Sequence, residues 1–265
     1  MKKLNFKIAL GIAYNGTHYY GWERQKNLNT IQSSIEFALT KITNENIKVF
    51  CAGRTDTGVH ATGQVIHFET SVIRKDTAWI YGINRYLPND IVVQWYKFVP
   101  EDFHSRYSAI ARQYYYIIFN HNCRTGVLDK LVTHIYWPLN VNKMNNAAQI
   151  LVGEHDFSAF RSSKCQSKSS YRKIYHINVT SYAHYVIIDI KANAFLYHMV
   201  RNIVTNLIAI GSGKQQPIWL QEVLLSGKKS STLSPVQSSG LYLVNIEYPI
   251  KYKLPDNIIK PFFIL

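Results

Sequence analysis

The chain has 265 residues, of which 47% are hydrophobic, and this is enough to bury one large core or two modest ones. Such a composition excludes an intrinsically disordered chain. The 30 lysines and arginines outnumber the 16 acidic residues and give a formal net charge of +14. This charge indicates a polyanionic partner, either nucleic acid or a membrane surface.

The first part of the chain predicts the element order β-α-β-β-α-β. Apolar residues at every second position from Leu4 to Tyr14 are typical of a half-buried strand. Helical apolar faces follow a capping residue at Thr30 and begin again at Asp76. Further strands are expected where β-branched and aromatic residues are frequent, near residues 47–52, 64–69 and 91–98.

The rest of the chain repeats this alternation. Helices are predicted around residues 144–151 and 195–210, and strands at 114–119, 174–180, 185–192 and 241–248. The most economical architecture is α+β, with two tandem ferredoxin-like (split βαβ) halves spanning residues 1–104 and 105–265. Each half is expected to be an antiparallel sheet with helices on one face. If the sheets lie side by side, a central basic cleft is expected between them.

Targeting and cysteine usage indicate a cytoplasmic protein. The N-terminus carries two lysines but no apolar signal region, and no apolar stretch is long enough to cross a bilayer. Cys51, Cys123 and Cys165 are widely spaced and odd in number, which argues against a disulfide framework or a zinc site. We therefore expect no membrane association, and we place the protein in the reducing cytoplasm.

The segment 53–62 between two predicted strands is the main candidate for chemistry. It carries a carboxylate, Asp56, and a guanidinium, Arg54, between Gly53 and Gly58. Long connections that do not resemble tight turns usually serve a function. By itself the pattern also fits a structural turn closed by the aspartate side chain.

The chain contains a series of sequence blocks in a fixed order, running nearly from end to end. They are Tyr14-Asn15-Gly16-Thr17, Gly21-Trp22-x-Arg24-Gln25, Gly53-Arg54-Thr55-Asp56-x-Gly58-Val59-His60-Ala61, Gly63-Gln64-Val65, Asp102-Phe103-His104-Ser105-Arg106, Arg112-x-Tyr114-x-Tyr116, Gly153-Glu154-His155-Asp156-Phe157, Asn193-Ala194-Phe195-Leu196-Tyr197-His198-Met199-Val200-Arg201-Asn202 and Gly240-Leu241-Tyr242-Leu243. This ordered set resembles the TruA family of tRNA pseudouridine synthases. Thr57 and Thr205 depart from the usual family residues, alanine and glycine respectively, and neither is assigned to chemistry.

The resemblance implies an isomerase that converts uridine to pseudouridine at positions 38, 39 and 40 of the tRNA anticodon stem-loop. It supports the two-part sheet with a central cleft and adds a homodimer, which the sequence alone does not indicate. The reaction has no net redox change and adds no group, so no cofactor is required. It needs a nucleophile, a platform for the detached base and the exclusion of water.

The resemblance also assigns roles to individual residues. Asp56 is the nucleophile, and Arg201 is its cationic partner, because an ionised carboxylate in a dry pocket would otherwise protonate. Arg54 supports base flipping, which is needed because a stacked base is unreachable. Tyr114 stacks under the flipped uracil. The alternatives are a solvated helix residue for Arg201 and a core aromatic for Tyr114.

Basic residues are predicted to bind the tRNA backbone. No acidic residue occurs between Asp156 and Asp189, and a Ser-rich loop there concentrates positive charge. Arg24 and Arg106, from the blocks above, are assigned to substrate binding as well. The residues of the loop assigned to this role are Arg161, Lys164, Lys168 and Arg172, with Lys173 beside them.

Two other functions stay open at this stage, and two motifs are set aside. The chain could be a non-catalytic tRNA-binding or tRNA-folding protein, or a pseudouridine synthase acting on another RNA. Gly211-Ser212-Gly213-Lys214 follows a predicted helix and lacks the frame of a phosphate loop, so it predicts a helix end and a turn. His60 and His67 lack the spacing of metal ligands, and no metal is expected.

Overall fold

The computed structural model describes residues 5–228, 233–255 and 261, so Leu4 of the predicted first strand lies outside the described residues. By their contacts the residues form two compact units, Met1–Ile110 with Tyr242–Leu265, and Ala111–Leu241. The sequence predicted a sequential division at residue 104, whereas the contacts group the C-terminal segment with the first unit. The α+β class is confirmed.

The first unit contains a four-stranded sheet extended by one short strand. Its strands follow the order β4-β1-β3-β10, and β2 pairs with β3. The predicted order β-α-β-β-α-β is confirmed for the part before β10. The elements are β1 (Phe6–Tyr14), α1 (Ile31–Thr43), β2 (Phe50–Cys51), β3 (His60–Thr70), α2 (Ile83–Tyr86), β4 (Ile91–Val99) and β10 (Leu241–Glu247).

The strand β1 is covered on both faces, so the expectation of a half-buried strand was wrong. Ala9 is as fully buried as its neighbours Ile8 and Leu10. Gly11 shows the reason, since a Cβ there would lie 2.0 Å from the Trp95 indole nitrogen. At Gly11 a side chain of β4 therefore covers the face that the alternation had assigned to solvent.

Local signals at the helix ends explain which helix boundaries were predictable. Thr30 caps α1, and its side chain accepts a hydrogen bond from the Ser33 N–H at 3.4 Å, as predicted. The second predicted helix begins at Asp76 but passes through a π-helical turn, Ala78–Gly82, before α2. Such a turn has no signature in the apolar spacing.

The second unit has its own sheet in the order β5-β9-β8-β7, with the short β6 on β5. The predicted hairpin of β8 and β9 is confirmed, with Tyr182 opposite Tyr185. The elements are β5 (Ala111–Asn120), β6 (Thr133–Ile135), α3 (Val141–Ala148), β7 (Gly153–Asp156), β8 (Tyr171–Tyr182), β9 (Tyr185–Ala192), α4 (Met199–Gly211) and α5 (Trp219–Ser226).

Three boundaries or pairings differ from the sequence-based expectation. The helix predicted from Phe195 begins at Met199, because His198 is left-handed at φ 63° and interrupts the helical backbone. The strand predicted from Gln64 begins at His60. The sheets are not purely antiparallel, because β10 pairs with β3, and β6 with β5, in parallel. The turn after α4 is confirmed, with Gly213 at φ 77°.

Among the described residues no helix is both long and apolar enough to cross a bilayer. The helices α1 and α4 are each 13 residues long, which is shorter than the bilayer core requires.

The parallel pair β3–β10 depends on a glycine, which gives a testable prediction. A Cβ at Gly63 would lie 2.2 Å from the Val244 carbonyl oxygen, so the two backbones could not keep this approach. Gly63→Ala is expected to lower the free energy of unfolding by about 1–3 kcal/mol, measured by denaturant titration. Gly126→Ala is the control, because nothing lies within 4 Å of its Cβ position. Equal stability of the two variants would contradict this account of the pair.

Candidate active site

A buried glutamine fixes the start of the loop between β2 and β3. Gln64 is fully buried on β3, and its side-chain amide donates to the Gly53 carbonyl at 2.6 Å and accepts from the Gly53 N–H at 3.4 Å. The Tyr14 hydroxyl, 3.4 Å from the same amide nitrogen, bonds the Thr55 hydroxyl at 2.8 Å. Because these groups are buried, leaving any of them unpaired would be costly. The loop is thus tied to two strands of the sheet.

The other side of the loop is held by the segment after β1. The Trp22 N–H donates to the Thr55 carbonyl at 2.9 Å. Gly21, at φ 87°, allows this approach, since a Cβ there would lie 2.9 Å from the same carbonyl oxygen. Thr55 is therefore fixed through both its side chain and its carbonyl group.

Asp56 follows this fixed residue at a turn. The Val59 N–H donates to the Asp56 carbonyl at 3.1 Å, and Gly58 takes φ 76° in between. Asp56 is half-buried, whereas Arg54 and Thr57 on either side of the Thr55–Asp56 pair are exposed. A carboxylate carried by such a constrained backbone is preorganised and still accessible to a substrate.

The two histidines of β3 make hydrogen bonds and ring contacts inside the protein. The His60 Nδ1 atom accepts from the Gly16 N–H at 3.1 Å, and its ring stacks on Tyr242 with centroids 4.6 Å apart. The His67 Nδ1 atom accepts from the Ser105 N–H at 3.2 Å. Within the described residues, no three histidine, cysteine or acidic side chains are arranged to hold a metal ion.

Arg54 and Arg24 each pair with an acidic residue that the sequence analysis did not single out. The Arg54 guanidinium bonds Glu23, with its terminal nitrogen 3.0 Å from one carboxylate oxygen. Arg24 bonds Glu36, a buried carboxylate on α1 that also accepts from the Val49 N–H at 3.1 Å. Glu36 was hidden in the amphipathic pattern of α1, where a charged residue is expected to face solvent.

Arg106 lies in an exposed loop of the first unit. Its guanidinium lies 5.6 Å from the ring centroid of Tyr107, which is in turn packed on His104 at 4.3 Å. Arg106 and Tyr107 are both exposed. Their position is compatible with the predicted role in substrate binding, which stays a prediction.

In the second unit, Tyr114 lies on β5 with 8% of its surface exposed. Phe195 contacts its ring edge-on, with centroids 5.1 Å apart. Tyr116, on the same face of the strand, is a core residue whose hydroxyl bonds Thr133 at 2.6 Å. Tyr114 keeps a small exposed surface that Tyr116 lacks, and its role as the platform stays a prediction.

Arg201 is the only one of the 13 residues of α4 that is not buried. Its Nε donates to the Val236 carbonyl at 2.8 Å, and a terminal nitrogen lies 3.4 Å from His198 Nε2. It lines a cavity of about 360 Å³ together with His134, Gln237 and Ser238, among others. These contacts orient the guanidinium within its own unit.

The basic loop divides into two kinds of residue. Lys164 and Lys168 are exposed, and Arg161 is half-buried. Arg172 already lies on β8, and its guanidinium donates to the Ser169 carbonyl at 3.1 Å and to the Ser167 hydroxyl at 2.7 Å. Burial lowers the pKa of Arg172. Its contacts tie the loop together, and its predicted contact with an RNA phosphate stays a prediction.

Comparison with known proteins identifies the class. A family model described as tRNA pseudouridine synthase matches residues 11–108 and 147–249. The chain is 53% identical over 258 residues to a protein of Photorhabdus laumondii named tRNA pseudouridine synthase A, covering 97% of this chain and 98% of that one. It is 52% identical over 259 residues to a protein of the same name from Escherichia coli K12, covering 98% and 96%.

The chain also shows weak similarity to two solved structures. A chain in a structure described as an H/ACA RNP bound to a substrate RNA containing 2'-deoxyuridine aligns with a TM-score of 0.36 at 12% identity, over 76% of this chain and 44% of that one. A chain of the archaeal box H/ACA sRNP Nop10-Cbf5 complex aligns with a TM-score of 0.35 at 11% identity, with the same coverage. Values this low support no further argument.

The sequence matches define a pseudouridine synthase, an isomerase that acts on tRNA. Within this class, the chain belongs to the TruA family of tRNA pseudouridine synthases, as the sequence blocks predicted.

The buried His67 of β3 predicts a loss of stability in acid. Burial, with His104 and Lys7 nearby, lowers its pKa from 6.5 to about 3. Between these pH values the His67 imidazole is protonated in the unfolded chain but not in the folded protein. The free energy of unfolding therefore falls as the pH drops from about 6.5 towards 3. Between pH 7 and pH 5 the free energy of unfolding falls by roughly 2 kcal/mol because of this histidine. His67→Gln should flatten the pH dependence of the unfolding free energy, and exposed His18→Gln should not.

Proposed function

We propose that this chain isomerises uridine at positions 38, 39 and 40 of the tRNA anticodon stem-loop, with Asp56 as the nucleophile. The observation that carries the proposal is the half-buried Asp56 next to Thr55, which is fixed through its side chain and its carbonyl group. The family match includes this segment, which supports the proposal. The choice of the anticodon stem-loop rests on the resemblance to TruA proteins.

The chemistry of the reaction explains why a fixed carboxylate is useful. The bond between N1 of uracil and C1' of ribose breaks, the base turns, and a bond forms between C5 and C1'. The C5 proton leaves and N1 gains a proton, so atoms and electrons balance without a cofactor. A nucleophile that attacks either the sugar or the base divides this change into easier steps. Both routes need an ionised, accessible carboxylate.

The other assigned residues follow from the same requirements. Arg54 supports the flipped conformation of the RNA, and Tyr114 supplies the surface on which the detached uracil stacks. Phe195 supports this assignment, because its edge-on contact holds the Tyr114 ring in one orientation. The role of Arg201 stays the one predicted from the sequence. We further propose a cytoplasmic homodimer, on the resemblance alone.

Asp56→Asn tests the nucleophile. The substitution keeps the size of the side chain and removes its charge, so pseudouridine formation in tRNA should fall below detection. The tRNA affinity should stay within several-fold of wild type, because phosphate contacts elsewhere carry binding. Melting temperature, tRNA affinity and pseudouridine formation are measured on one preparation.

Asp102→Asn is the matched control, because Asp102 is an exposed aspartate of the same unit that pairs with Lys251 at 2.6 Å. It should leave turnover unchanged. If Asp56 were only a turn residue, its substitution would lower stability by about 1 kcal/mol and keep activity. Substantial turnover by folded Asp56→Asn protein would refute the assignment.

The basic loop generates a second test. Lys164 and Lys168 are replaced with alanine, and the slope of log affinity for tRNA against log salt is measured. The slope should become shallower by roughly 1 to 2 units, because fewer counterions are released on binding when phosphate contacts are lost. Arg172 is left in place because it holds the loop together. The control replaces two exposed lysines elsewhere, Lys41 and Lys143. The same slope change in both double variants would mean that the loop makes no special contact.

A further inference from the structure

Arg54 belongs to the loop between β2 and β3 that carries Asp56, called the nucleophile loop below. Arg54 and Arg24 are held in different ways. Glu36, the partner of Arg24, has only 8% of its side chain exposed and accepts two further hydrogen bonds, from Gln32 and the Val49 N–H. Glu23, the partner of Arg54, is 50% exposed, and the Arg54 side chain is 56% exposed. A buried and multiply bonded carboxylate is a permanent anchor, whereas a half-exposed ion pair contributes little and is easily exchanged.

Backbone contacts bring Glu23 close to Arg54. The bond from the Trp22 N–H to the Thr55 carbonyl joins the residues next to each of them. The close approach at Gly21 fixes the separation of the two segments. The backbone therefore keeps the segment of Glu23 close to the segment of Arg54 in the folded protein.

The contact uses one edge of the guanidinium. The Arg54 Nε and a terminal nitrogen face the two oxygens of Glu23, and the terminal nitrogen lies 3.0 Å from Oε1. This edge-on pairing with two oxygens is also how arginine binds a phosphate. Glu23 therefore occupies the edge that an RNA phosphate would use.

We propose that Glu23 stands in for a tRNA phosphate on Arg54 in the RNA-free protein, and that tRNA binding exchanges the carboxylate for the phosphate. This rests on the proposed function, because it takes Arg54 as a residue that contacts RNA. Glu23 is then a positioning residue. It holds the guanidinium at the loop before the substrate arrives and lowers the affinity for RNA, because the released carboxylate lies close to the RNA backbone.

The exchange has a specific electrostatic consequence. A phosphate that contacts Arg54 gives up a bound cation, and the released Glu23 carboxylate attracts one from solution. The two effects offset each other, so this contact adds less to the salt dependence of binding than a contact made by an unpaired arginine. Removing the charge of Glu23 should therefore strengthen binding and steepen its salt dependence.

The experiment measures tRNA affinity as a function of salt for Glu23→Gln, Arg54→Ala and the double variant. Glu23→Gln should bind about two- to fivefold more tightly than wild type at low salt, with a slope steeper by up to about one unit. In the Arg54→Ala background the same substitution should have no effect beyond that of the control. This non-additivity is the signature of an exchange at Arg54.

Glu69→Gln is the matched control. Glu69 is 57% exposed and pairs with Lys7 at 3.4 Å, at the end of β3 opposite to the nucleophile loop. Glu69→Gln makes the same change of charge and of chemical group as Glu23→Gln. A gain from Glu23→Gln that exceeds the gain from Glu69→Gln and disappears with Arg54→Ala supports the exchange.

Three results would overturn the proposal: equal gains from Glu23→Gln and Glu69→Gln, a gain that persists in the Arg54→Ala background, or weaker binding by Glu23→Gln. Melting temperatures confirm that each variant is folded. These are binding measurements, so they are independent of whether Asp56 is the nucleophile. If Asp56→Asn protein stayed active, the proposed mechanism would fail while the exchange at Arg54 could still be supported or refuted.

Discussion

The pair of hydrogen bonds between the Gln64 side chain and the backbone of Gly53 is the constraint on which the candidate site depends. Gln64 is held by β3, which pairs with β1 along most of its length. A buried amide that serves both backbone groups of one residue cannot move without losing both bonds. Gln64 therefore fixes the backbone of Gly53, where the loop begins, relative to the sheet. Tyr14 extends this constraint to Thr55, immediately before Asp56.

Acidic residues determine what the arginines around this loop can do. Glu36 is buried and multiply bonded, so it gives the Arg24 guanidinium a fixed partner. Glu23 is half-exposed, so it leaves Arg54 able to change partners. The chain carries only 16 acidic residues, and two of them pair with arginines assigned to RNA binding. In this strongly positive protein, single acidic residues thus determine how particular arginine side chains are held.

The sequence predicts the elements of this fold where the signal is local. Thr30 and the apolar face behind it predict the start of α1, and the alternation along β1 predicts a strand. The left-handed His198 was not predictable, because this conformation is uncommon for every residue other than glycine, histidine included. The parallel pairing of β10 with β3 joins segments far apart in the chain, and no local pattern specifies it. The burial of Gly11 depends on Trp95, which is also far from it in the sequence.

For the site, sequence blocks indicated Asp56, Arg54 and Tyr114, whose roles stay predictions. They did not indicate which charged residues contact each other. Glu23 lies within one of the blocks, yet its pairing with Arg54 depends on how Trp22 meets Thr55 in space. Arg172 looked like the other cations of its loop, and only its bonds to the loop's own oxygens separate it from them.

Release of tritium from C5 of uridine tests the central claim most directly, because the C5 hydrogen must leave when C5 bonds to the ribose. The substrates are two C5-tritiated tRNA transcripts, one with uridines at positions 38, 39 and 40 and one with cytidines there. We predict release by the wild-type protein from the first transcript, in proportion to its uridines at these positions, and none from the second. Binding without release, or equal release from both transcripts, would contradict the account.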